Sequence, residues 1–497
     1  MKNALIRRER LLHMHPPAGW FGDPIPFYWE GIWHLFYLRD QQHHALPGGR
    51  HTWGHLSSRD LVEWMEEPLA IPLGVEGEVD SASCGTGGII AGPDGTFHLY
   101  YLGRFISTNG EKREALCHAT SRDLRVWAKD RANPISRPDP RHYNLGDWRD
   151  GFPFWNAEAG EYWMIVTASL RDAPISRRGC LVALRSTDLW HWSLAERPFW
   201  APHLDVYHEC PDLFFEAGWW YLIYSVVGDP TNVGTLYRRS RSLAGPWESP
   251  PVCSFDGPLL YAAKTASDGA RRLLFGWVPT RLGDHDAGTV QWGGHSTMRE
   301  ITRDAEGLLW ARCPREVLAL GVARPRPSVQ PRLGEWVVDE ISVSVANPAG
   351  FAYATIDGLP SGYSIHCRFR SAKSVDRFGL LFRTGPDLRA GYRLTVEPGR
   401  EQLSLAPFGV SSLAGQGGLI RQFPAARARA IDAAEIGSAG IDVVAIVVGS
   451  LIEVFVDERI ALVGRFYDHR GDSLALFVED GGGSFEDVTI RELPPED

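Results

Sequence analysis

The chain has 497 residues and a formal net charge of −10, with 61 acidic against 51 basic side chains. This length exceeds one ordinary hydrophobic core, so the sequence predicts at least two domains. The negative balance argues against nucleic acid or an anionic membrane surface as a partner. The seven cysteines are odd in number and form no Cys-x-x-Cys pair, so neither a disulfide framework nor a zinc site is expected.

The first ten residues carry charges but no apolar stretch of the kind found in signal peptides. No run in the chain reaches the length needed to span a membrane. A cytoplasmic protein is therefore expected. No motif for a metal or an organic cofactor is present, so none is predicted, and a homo-oligomer is compatible with the sequence.

Five copies of one hairpin follow one another within the first 310 residues. Each copy is a strand, a turn that contains a glycine, and a second strand that is more apolar. The turn glycines are 51 to 65 residues apart and are Gly31, Gly95, Gly160, Gly218 and Gly269. Repeats of this length with several short strands are typical of β-propellers. Residues 1–313 are therefore predicted to form a five-bladed β-propeller.

A second repeated element has the pattern Asp-Leu-x-x-Trp. It begins at Asp60, Asp123 and Asp188, and a looser copy ends at Trp247. The pattern predicts a strand, a turn and a strand in the outer part of each blade. Its tryptophan is expected to pack in the blade core rather than to bind a ligand.

The pattern changes after the fifth repeat. Residues 314–333 contain four prolines and few apolar side chains after Val322, which predicts a linker. Residues 334–497 alternate apolar and polar side chains in short runs, which is typical of a β-sandwich. The predicted strands are 340–345, 363–369, 379–383, 392–396, 441–448, 452–456 and 473–478. Residues 424–436 are rich in alanine and arginine and are compatible with a short helix or an ordered loop.

Three acidic residues precede turn glycines by similar intervals. Asp23, Asp150 and Glu209 lie eight to ten residues before the glycine of their repeat. In a propeller the first strand of each blade lines the central channel, so equivalent positions in different blades converge. At the equivalent position blade two has residues 83–85 and blade five has Tyr261. The sequence therefore places an acid there in only three blades.

Three carboxylates around one pocket repel one another and raise one another's pKa, which does not favour folding. Such groups are typical of sites where one acid stays protonated while another is ionised, as glycoside hydrolysis requires. The alternative is that Asp23 and Asp212, each beside a proline, are turn residues. The repeat favours function for Asp23, Asp150 and Glu209, and a turn for Asp212.

Motifs along nearly the whole chain, in a fixed order, carry a family resemblance. They are residues 15–24, 53–64, 148–150, 208–214, 261–265, 291–300, 452–457 and 465–467. These motifs resemble those of glycoside hydrolase family 32, the invertase, levanase and inulinase group. The resemblance implies a retaining enzyme that cleaves or transfers β-fructofuranosyl units of a fructose-containing oligosaccharide or small sugar.

The resemblance also implies roles for the three acids. Asp23 is implied as the nucleophile, Glu209 as the general acid and base, and Asp150 as a carboxylate that holds sugar hydroxyls and stabilises the transition state. Arg149 is compatible with keeping Asp150 ionised or with a salt bridge at the blade edge. The candidate substrate-binding residues are Arg149, Trp20, Trp53, Arg39, Asp40, His208, Tyr261 and Trp292.

The chain departs from the family pattern around the nucleophile. Gly22 stands where the family has asparagine, Ile25 and Pro26 replace Asn-Gly, and Gly151 replaces a proline. The loss of amides that would bind one sugar ring argues for a substrate other than sucrose. Two alternatives stay open: a furanosidase for another sugar, such as arabinofuranose, and a non-catalytic sugar-binding propeller.

Overall fold

The computed structural model describes residues 8–10, 12–16, 18–40, 50–227, 234–346, 349–371, 375–400, 402–409 and 440–494. Segment 424–436 lies outside these residues. Within them the chain is nearly all β: the helices are one α-helical turn, α1 (Arg315–Leu318), and two 3-10 turns, Ile175–Arg177 and Pro398–Arg400. None of the helices in the described part is long and apolar enough to cross a membrane.

The described residues of the five repeats form twenty strands. In chain order they are β1 (Arg8–Arg10), β2 (Trp20–Trp29), β3 (Ile32–Asp40), β4 (His51–Ser58), β5 (Glu63–Glu66), β6 (Ser83–Ala91), β7 (Phe97–Ile106), β8 (Lys112–Ser121), β9 (Ala128–Lys129), β10 (Tyr143–Asn156), β11 (Glu161–Leu170), β12 (Gly179–Ser186), β13 (Ser193–Leu194), β14 (Tyr207–Glu216), β15 (Trp219–Val227), β16 (Gly234–Ser240), β17 (Tyr261–Ser267), β18 (Arg272–Arg281), β19 (Val290–Arg303) and β20 (Leu309–Arg312).

These strands form antiparallel sheets that follow the repeats. The second, third and fourth repeats form separate sheets, β6-β7-β8-β9, β10-β11-β12-β13 and β14-β15-β16. The first and fifth repeats share one sheet of nine strands, in which β19 pairs with β2 through Gly294 and Phe21. The last strands of the fifth repeat thus join the first strand of the first repeat.

The turn glycines have one conformation in all five repeats. Gly31, Gly95, Gly160, Gly218 and Gly269 have φ between +66° and +90°. This left-handed region costs little for glycine and is strained for other residues, which explains why the turn keeps a glycine. The predicted five-fold repeat of the hairpin is confirmed at this level.

The Asp-Leu-x-x-Trp element also folds in one way. In the first copy Asp60 accepts hydrogen bonds from the backbone N–H groups of Val62 and Glu63, at 3.0 and 2.8 Å. Trp64 Nε1 donates to the carbonyl oxygen of Leu61 at 3.1 Å, and the ring is buried. The copies at Asp123 and Asp188 repeat both contacts. The tryptophan therefore packs among buried apolar side chains, as predicted.

Fourteen strands follow the repeats. They are β21 (Val322–Ala323), β22 (Val329–Leu333), β23 (Trp336–Val338), β24 (Ser342–Val345), β25 (Phe351–Ile356), β26 (Tyr363–Arg370), β27 (Arg377–Thr384), β28 (Ala390–Glu397), β29 (Gln402–Gly409), β30 (Ile441–Val448), β31 (Leu451–Val456), β32 (Ile460–Arg465), β33 (Ser473–Glu479) and β34 (Gly483–Glu492).

Two antiparallel sheets arise from these strands. One has the order β23-β24-β34-β26-β30-β31-β32, with β21 also on β34, and the other has the order β22-β25-β33-β27-β28-β29. Alternate side chains of both sheets meet in one buried apolar core, in which the rings of Phe369 and Phe378 stack 3.7 Å apart. Each of the seven strands predicted for this region overlaps a strand of the structure.

The chain divides into two compact units. One comprises residues 1–250, 260–279 and 291–298, and the other comprises 251–259, 280–290 and 299–497. The boundaries predicted from the sequence, 1–313 and 334–497, stay predictions. The segment predicted as a linker contains α1, β21 and β22, and its two strands pair with β34 and β25. Residues 314–333 therefore contribute strands to the second unit.

Candidate active site

Each first strand of the five repeats has an irregular register near its start. The shifts fall between Gly22 and Ile25 in β2, Gly85 and Gly87 in β6, Arg149 and Phe152 in β10, Glu209 and Asp212 in β14, and Tyr261 and Lys264 in β17. A β-bulge of this kind bends a strand and redirects a side chain. A bulge at the equivalent position thus occurs in every repeat.

The bulges define two levels of side chains. At the bulge itself lie Asp23, Thr86, Asp150, Cys210 and Ala262, and four of these five residues have φ between +31° and +60°. One residue earlier lie Gly22, Gly85, Arg149, Glu209 and Tyr261. This corrects the equivalence predicted by counting from the turn glycines, because Asp23 and Asp150 share a level whereas Glu209 lies one residue before it.

Asp23 is held by two hydrogen-bond donors. Thr86 Oγ1 donates to Oδ2 at 2.5 Å, and Trp277 Nε1 donates to Oδ1 at 3.0 Å. Burial, with the carboxylates of Asp150 and Glu209, outweighs these bonds and raises the pKa of Asp23 to about 6. Cys210 Sγ lies 4.0 Å from Oδ2, so the neighbour of Glu209 touches Asp23.

Asp150 is 3% exposed and has two polar contacts on one oxygen. Its Oδ2 accepts a hydrogen bond from the backbone N–H of Cys210 at 3.0 Å and lies 3.2 Å from Thr167 Oγ1. Burial raises the pKa of Asp150, Arg149 acts in the opposite direction, and Glu209 adds to the rise. Cys210 therefore links all three acids.

Glu209 is clamped between a cation and a hydroxyl. Arg149 donates to its Oε1 from Nη2 at 2.7 Å and from Nε at 3.2 Å. Tyr261 donates to Oε2 at 2.5 Å. Arg149 Nε lies 3.9 Å from Asp150, so the closer partner of this arginine is Glu209. The structure brings together five predicted site residues: Asp23, Asp150, Glu209, Arg149 and Tyr261.

Trp292 packs beside Gly22, the residue that precedes Asp23. Its ring lies 5.6 Å from that of Trp277 and stacks on His51 at 4.1 Å. A Cβ atom added at Gly22 would lie 2.2 Å from Cζ2 of Trp292, which is too close for any side chain. The indole thus fills the space beside the residue that precedes Asp23.

Two other residues predicted to contact a substrate, Trp53 and His208, are fully buried. Trp53 is 0% exposed, belongs to an apolar core and donates from Nε1 to the carbonyl oxygen of Gly85 at 2.9 Å. His208 is also 0% exposed, because alternation along β14 directs it away from Glu209 and against the rings of Trp200 and Tyr224. The prediction that these two residues contact a substrate is therefore wrong.

Three more predicted residues lie at the beginning of β2 or at the end of β3. Asp40 is 2% exposed and lies 3.7 Å from His51, and Arg39 donates to the carbonyl oxygen of Ala18 at 3.2 Å. Trp20 is half-buried and lies opposite Asp40 in the pairing of β2 with β3. Their role in substrate binding stays a prediction.

Asp212 is neither at the site nor in a turn. It is buried in β14, and its Oδ2 accepts hydrogen bonds from the backbone N–H and the hydroxyl of Thr265, at 2.5 and 2.6 Å. The predicted turn role is wrong because Asp212 links β14 to β17. The expectation that it lies outside the catalytic set agrees with this contact.

Sequence reasoning missed Thr86, Thr167 and Trp277. Thr86 occupies the bulge level of the second repeat, and Thr167 also contacts the carbonyl oxygen of His208 at 2.9 Å. Trp277 lies on the second strand of its repeat, so counting along first strands does not reach it. The sequence comparison stopped at residues 83–85 in the second repeat. Thr86 is the next residue and lies at the bulge.

Replacing Thr86 by valine is expected to move the acidic limb of the pH profile of kcat/KM upward. The hydroxyl stabilises the ionised form of Asp23, so its loss raises the pKa of Asp23 above about 6. We expect a shift of about one pH unit, measured over pH 4 to 8. Thr96→Val is the matched control, because that hydroxyl bonds Asp94 in the turn between β6 and β7, outside the site. An unmoved limb in Thr86→Val would contradict the assignment.

Gly22→Asn is expected to lower kcat/KM by about 100-fold, because the new side chain displaces Trp292 from its position beside Gly22 and disturbs the neighbouring Asp23. In Gly22→Asn with Trp292→Ala the space is free, so the double variant should lose less than the two single losses combined. A coupling free energy of about 1–2 kcal/mol from the four-protein cycle is expected. Additive losses would show that the two residues act independently.

The described chain is nearly all β, and it brings three carboxylates and an arginine together. These carboxylates include the acid pair that glycoside hydrolysis requires. The fold and the site are therefore those of a glycoside hydrolase. Among the described residues, no group of three or more histidine, cysteine or acidic side chains has the arrangement of a metal site. The chain belongs to glycosyl hydrolase family 32. The sequence model of that family's N-terminal domain matches residues 13–311, which include all three acids.

Named relatives agree with this membership. The chain is 26% identical to an insoluble beta-fructofuranosidase isoenzyme of Arabidopsis thaliana over 62% of this chain and 59% of that one. It is 28% identical to sucrose-6-phosphate hydrolase of Escherichia coli over 80% and 84% of the two chains. The alignments with the first three relatives span 53–59% of their lengths.

A solved structure has the same fold over nearly the whole length. Fructan 1-exohydrolase IIa of Cichorium intybus aligns with a TM-score of 0.69 at 20% identity. The alignment covers 99% of this chain and 98% of that one. Both units of the present chain therefore have counterparts there.

Proposed function

We propose that the protein is a retaining β-fructofuranosidase that cleaves or transfers β-fructofuranosyl units of a fructose-containing oligosaccharide or small sugar. The observation that carries the proposal is the joint placement of Asp23, Asp150 and Glu209, linked through Cys210. The names of the relatives, a beta-fructofuranosidase and a sucrose-6-phosphate hydrolase, support the same substrate class.

Each acid has a role in the proposed reaction. Asp23 attacks the anomeric carbon and forms a glycosyl ester, while the bond to the leaving oxygen breaks and Glu209 gives that oxygen a proton. Glu209 then takes a proton from water or an acceptor hydroxyl, which displaces Asp23 and restores both carboxyl groups. Asp150 binds sugar hydroxyls.

The resting charges fit these roles in part. The hydrogen bonds from Thr86 and Trp277 orient the carboxylate of Asp23. Arg149 donates two hydrogen bonds to one oxygen of Glu209, which orient this carboxyl group for proton transfer. For the first step Glu209 must hold a proton beside this arginine.

The proposal extends to the fold. We infer a five-bladed β-propeller from the five repeats, followed by a β-sandwich. Contacts between first strands support this closure, because β2 meets β6, β6 meets β10, β10 meets β14, β14 meets β17, and β17 meets β2. Such a cycle brings five equivalent bulges around one axis.

A furanosidase for another sugar is the second candidate. The observation that favours it is the indole of Trp292 beside Gly22, which places an apolar ring where an amide would bind a fructosyl unit. The two candidates share Asp23 and Glu209 and differ in the sugar that fits against this ring.

A panel of sugars tests both candidates. Sucrose, inulo- and levan-oligosaccharides and p-nitrophenyl furanosides of fructose and arabinose are incubated with the protein, and the released sugar is identified. Fructose release supports the first proposal, and arabinose release alone supports the second. Silence across the panel together with measurable binding would favour a sugar-binding propeller.

A further inference from the structure

Glu114 is a buried carboxylate surrounded by cations. Its side chain is 0% exposed, and Arg104, Lys112 and Arg149 lie 3.0, 3.1 and 3.2 Å from it. The backbone N–H of Trp148 donates a fourth contact at 3.1 Å. Burial would raise the pKa of Glu114, but the three cations outweigh burial and lower it to about 2. Glu114 is therefore ionised at any pH at which the protein works.

Arg149 divides its guanidinium between two sets of acids. Nη1 donates to Glu114 at 3.2 Å and to Asp147 at 3.1 Å. The opposite edge, Nε and Nη2, donates to Glu209. The face of the guanidinium lies over the ring of Tyr207 at 4.7 Å. Glu114 and Asp147 thus fix which edge of Arg149 meets Glu209.

We propose that Glu114 is a positioning residue for the proposed reaction, which holds Arg149 by Nη1 and limits the positive charge that Arg149 offers to Glu209. This inference rests on the proposed function. Because Glu209 must gain and lose a proton in each turnover, an arginine that binds it too tightly would keep it ionised. Sharing Arg149 with Glu114 weakens that hold while the geometry stays fixed.

Several charged or titratable groups face this network. Those around Glu209 are Arg149, Tyr261, Asp23, Asp150 and Cys210, and those around Arg149 are Glu114, Asp147, Asp150, Glu209 and Tyr207. Beyond them, Arg178 lies 3.3 Å from Asp147, and Lys264 acts on Asp150. Glu114 contacts Arg149, and Lys112 contacts Glu114, so substitutions at these two residues act on the charge around Arg149.

Two variants with opposite expected signs test the inference. Glu114→Gln removes the anion that competes for Arg149, so Arg149 offers more of its charge to Glu209 and the alkaline limb of kcat/KM moves down by about one pH unit. Lys112→Ala removes a cation from Glu114, which then attracts Arg149 more strongly, so the limb moves up by roughly 0.3 unit. Lys112 is 45% exposed, so its variant keeps the test open if Glu114→Gln does not fold.

Glu111→Gln is the matched control. It removes the same charge from an exposed side chain that pairs with Arg113, outside the network. Its alkaline limb should stay unchanged. Loss of stability in Glu114→Gln and Lys112→Ala with unmoved limbs would overturn the inference, because Glu114 would then act only on folding.

A second measurement needs no activity. The free energies of unfolding of the native protein and of Glu209→Gln are compared from pH 4 to 9, with and without Glu114→Gln. The pH dependence of their difference should move to lower pH in the Glu114→Gln background. If the protein cleaves no furanoside, the proposed function fails, and the same pH dependence in both backgrounds overturns this inference separately.

Discussion

Asp23→Asn is expected to reduce kcat/KM for any cleaved furanoside by at least about 10⁴-fold. The amide has nearly the same shape and keeps an oxygen for Thr86 or Trp277, but it cannot attack the anomeric carbon. The folded protein should persist, because burial and the carboxylates of Asp150 and Glu209 raise the pKa of Asp23, so its ionised form lowers the stability of the fold. Initial rates and thermal unfolding of purified variants check both statements.

Asp212→Asn is the control for Asp23→Asn. That carboxylate is buried and bonds Thr265 across strands, away from the reacting atoms. Its loss should lower thermal stability and leave kcat of the folded fraction within about three-fold of the native value. Near-native rates in Asp23→Asn would show that Asp23 is not the nucleophile.

Glu209→Gln is expected to have an effect that depends on the leaving group. For a sugar leaving group, loss of the general acid should lower kcat by about 10²- to 10⁴-fold. For a p-nitrophenyl fructoside the first step needs little proton donation, so the enzyme should release one equivalent of nitrophenol rapidly and then slow down. Stopped-flow absorbance at several enzyme concentrations measures this burst.

The burst amplitude gives the sharper test of Glu209→Gln. It should match the enzyme concentration, because the second step lacks the base that activates water. Equal losses for both kinds of leaving group, without a burst, would mean that Glu209 positions Arg149 and Tyr261 and transfers no proton.

The repeat was predictable because its signals are local. The turn needs a residue with positive φ, so glycine recurs at Gly31, Gly95, Gly160, Gly218 and Gly269. The aspartates of the Asp-Leu-x-x-Trp element also recur for a local reason, because each accepts hydrogen bonds from backbone N–H groups of its own turn. Strands with clear alternation, such as β26 and β30, were predicted within one residue at each end, whereas β34 was missed because its outer face carries an irregular set of charges.

The acids were found, but their levels and partners were not. A bulge adds a residue to one strand and leaves no fixed mark in the sequence, so counting from the turn placed Glu209 on the level of Asp23. Contacts between repeats depend on packing, which is why Thr86 and Trp277 were missed. Trp53 was predicted as a sugar contact because the sequence alone does not distinguish a tryptophan in a core from one that lines a pocket.

Mass spectrometry of Glu209→Gln, quenched in acid during turnover of p-nitrophenyl fructoside, tests the central claim most directly. A double displacement through Asp23 predicts a protein heavier by one fructosyl unit, with the added mass on the peptide that contains Asp23 and absent in the variant that also carries Asp23→Asn. An unmodified protein during steady release of fructose with the opposite anomeric configuration would contradict the account, because a single displacement by water would then explain the reaction.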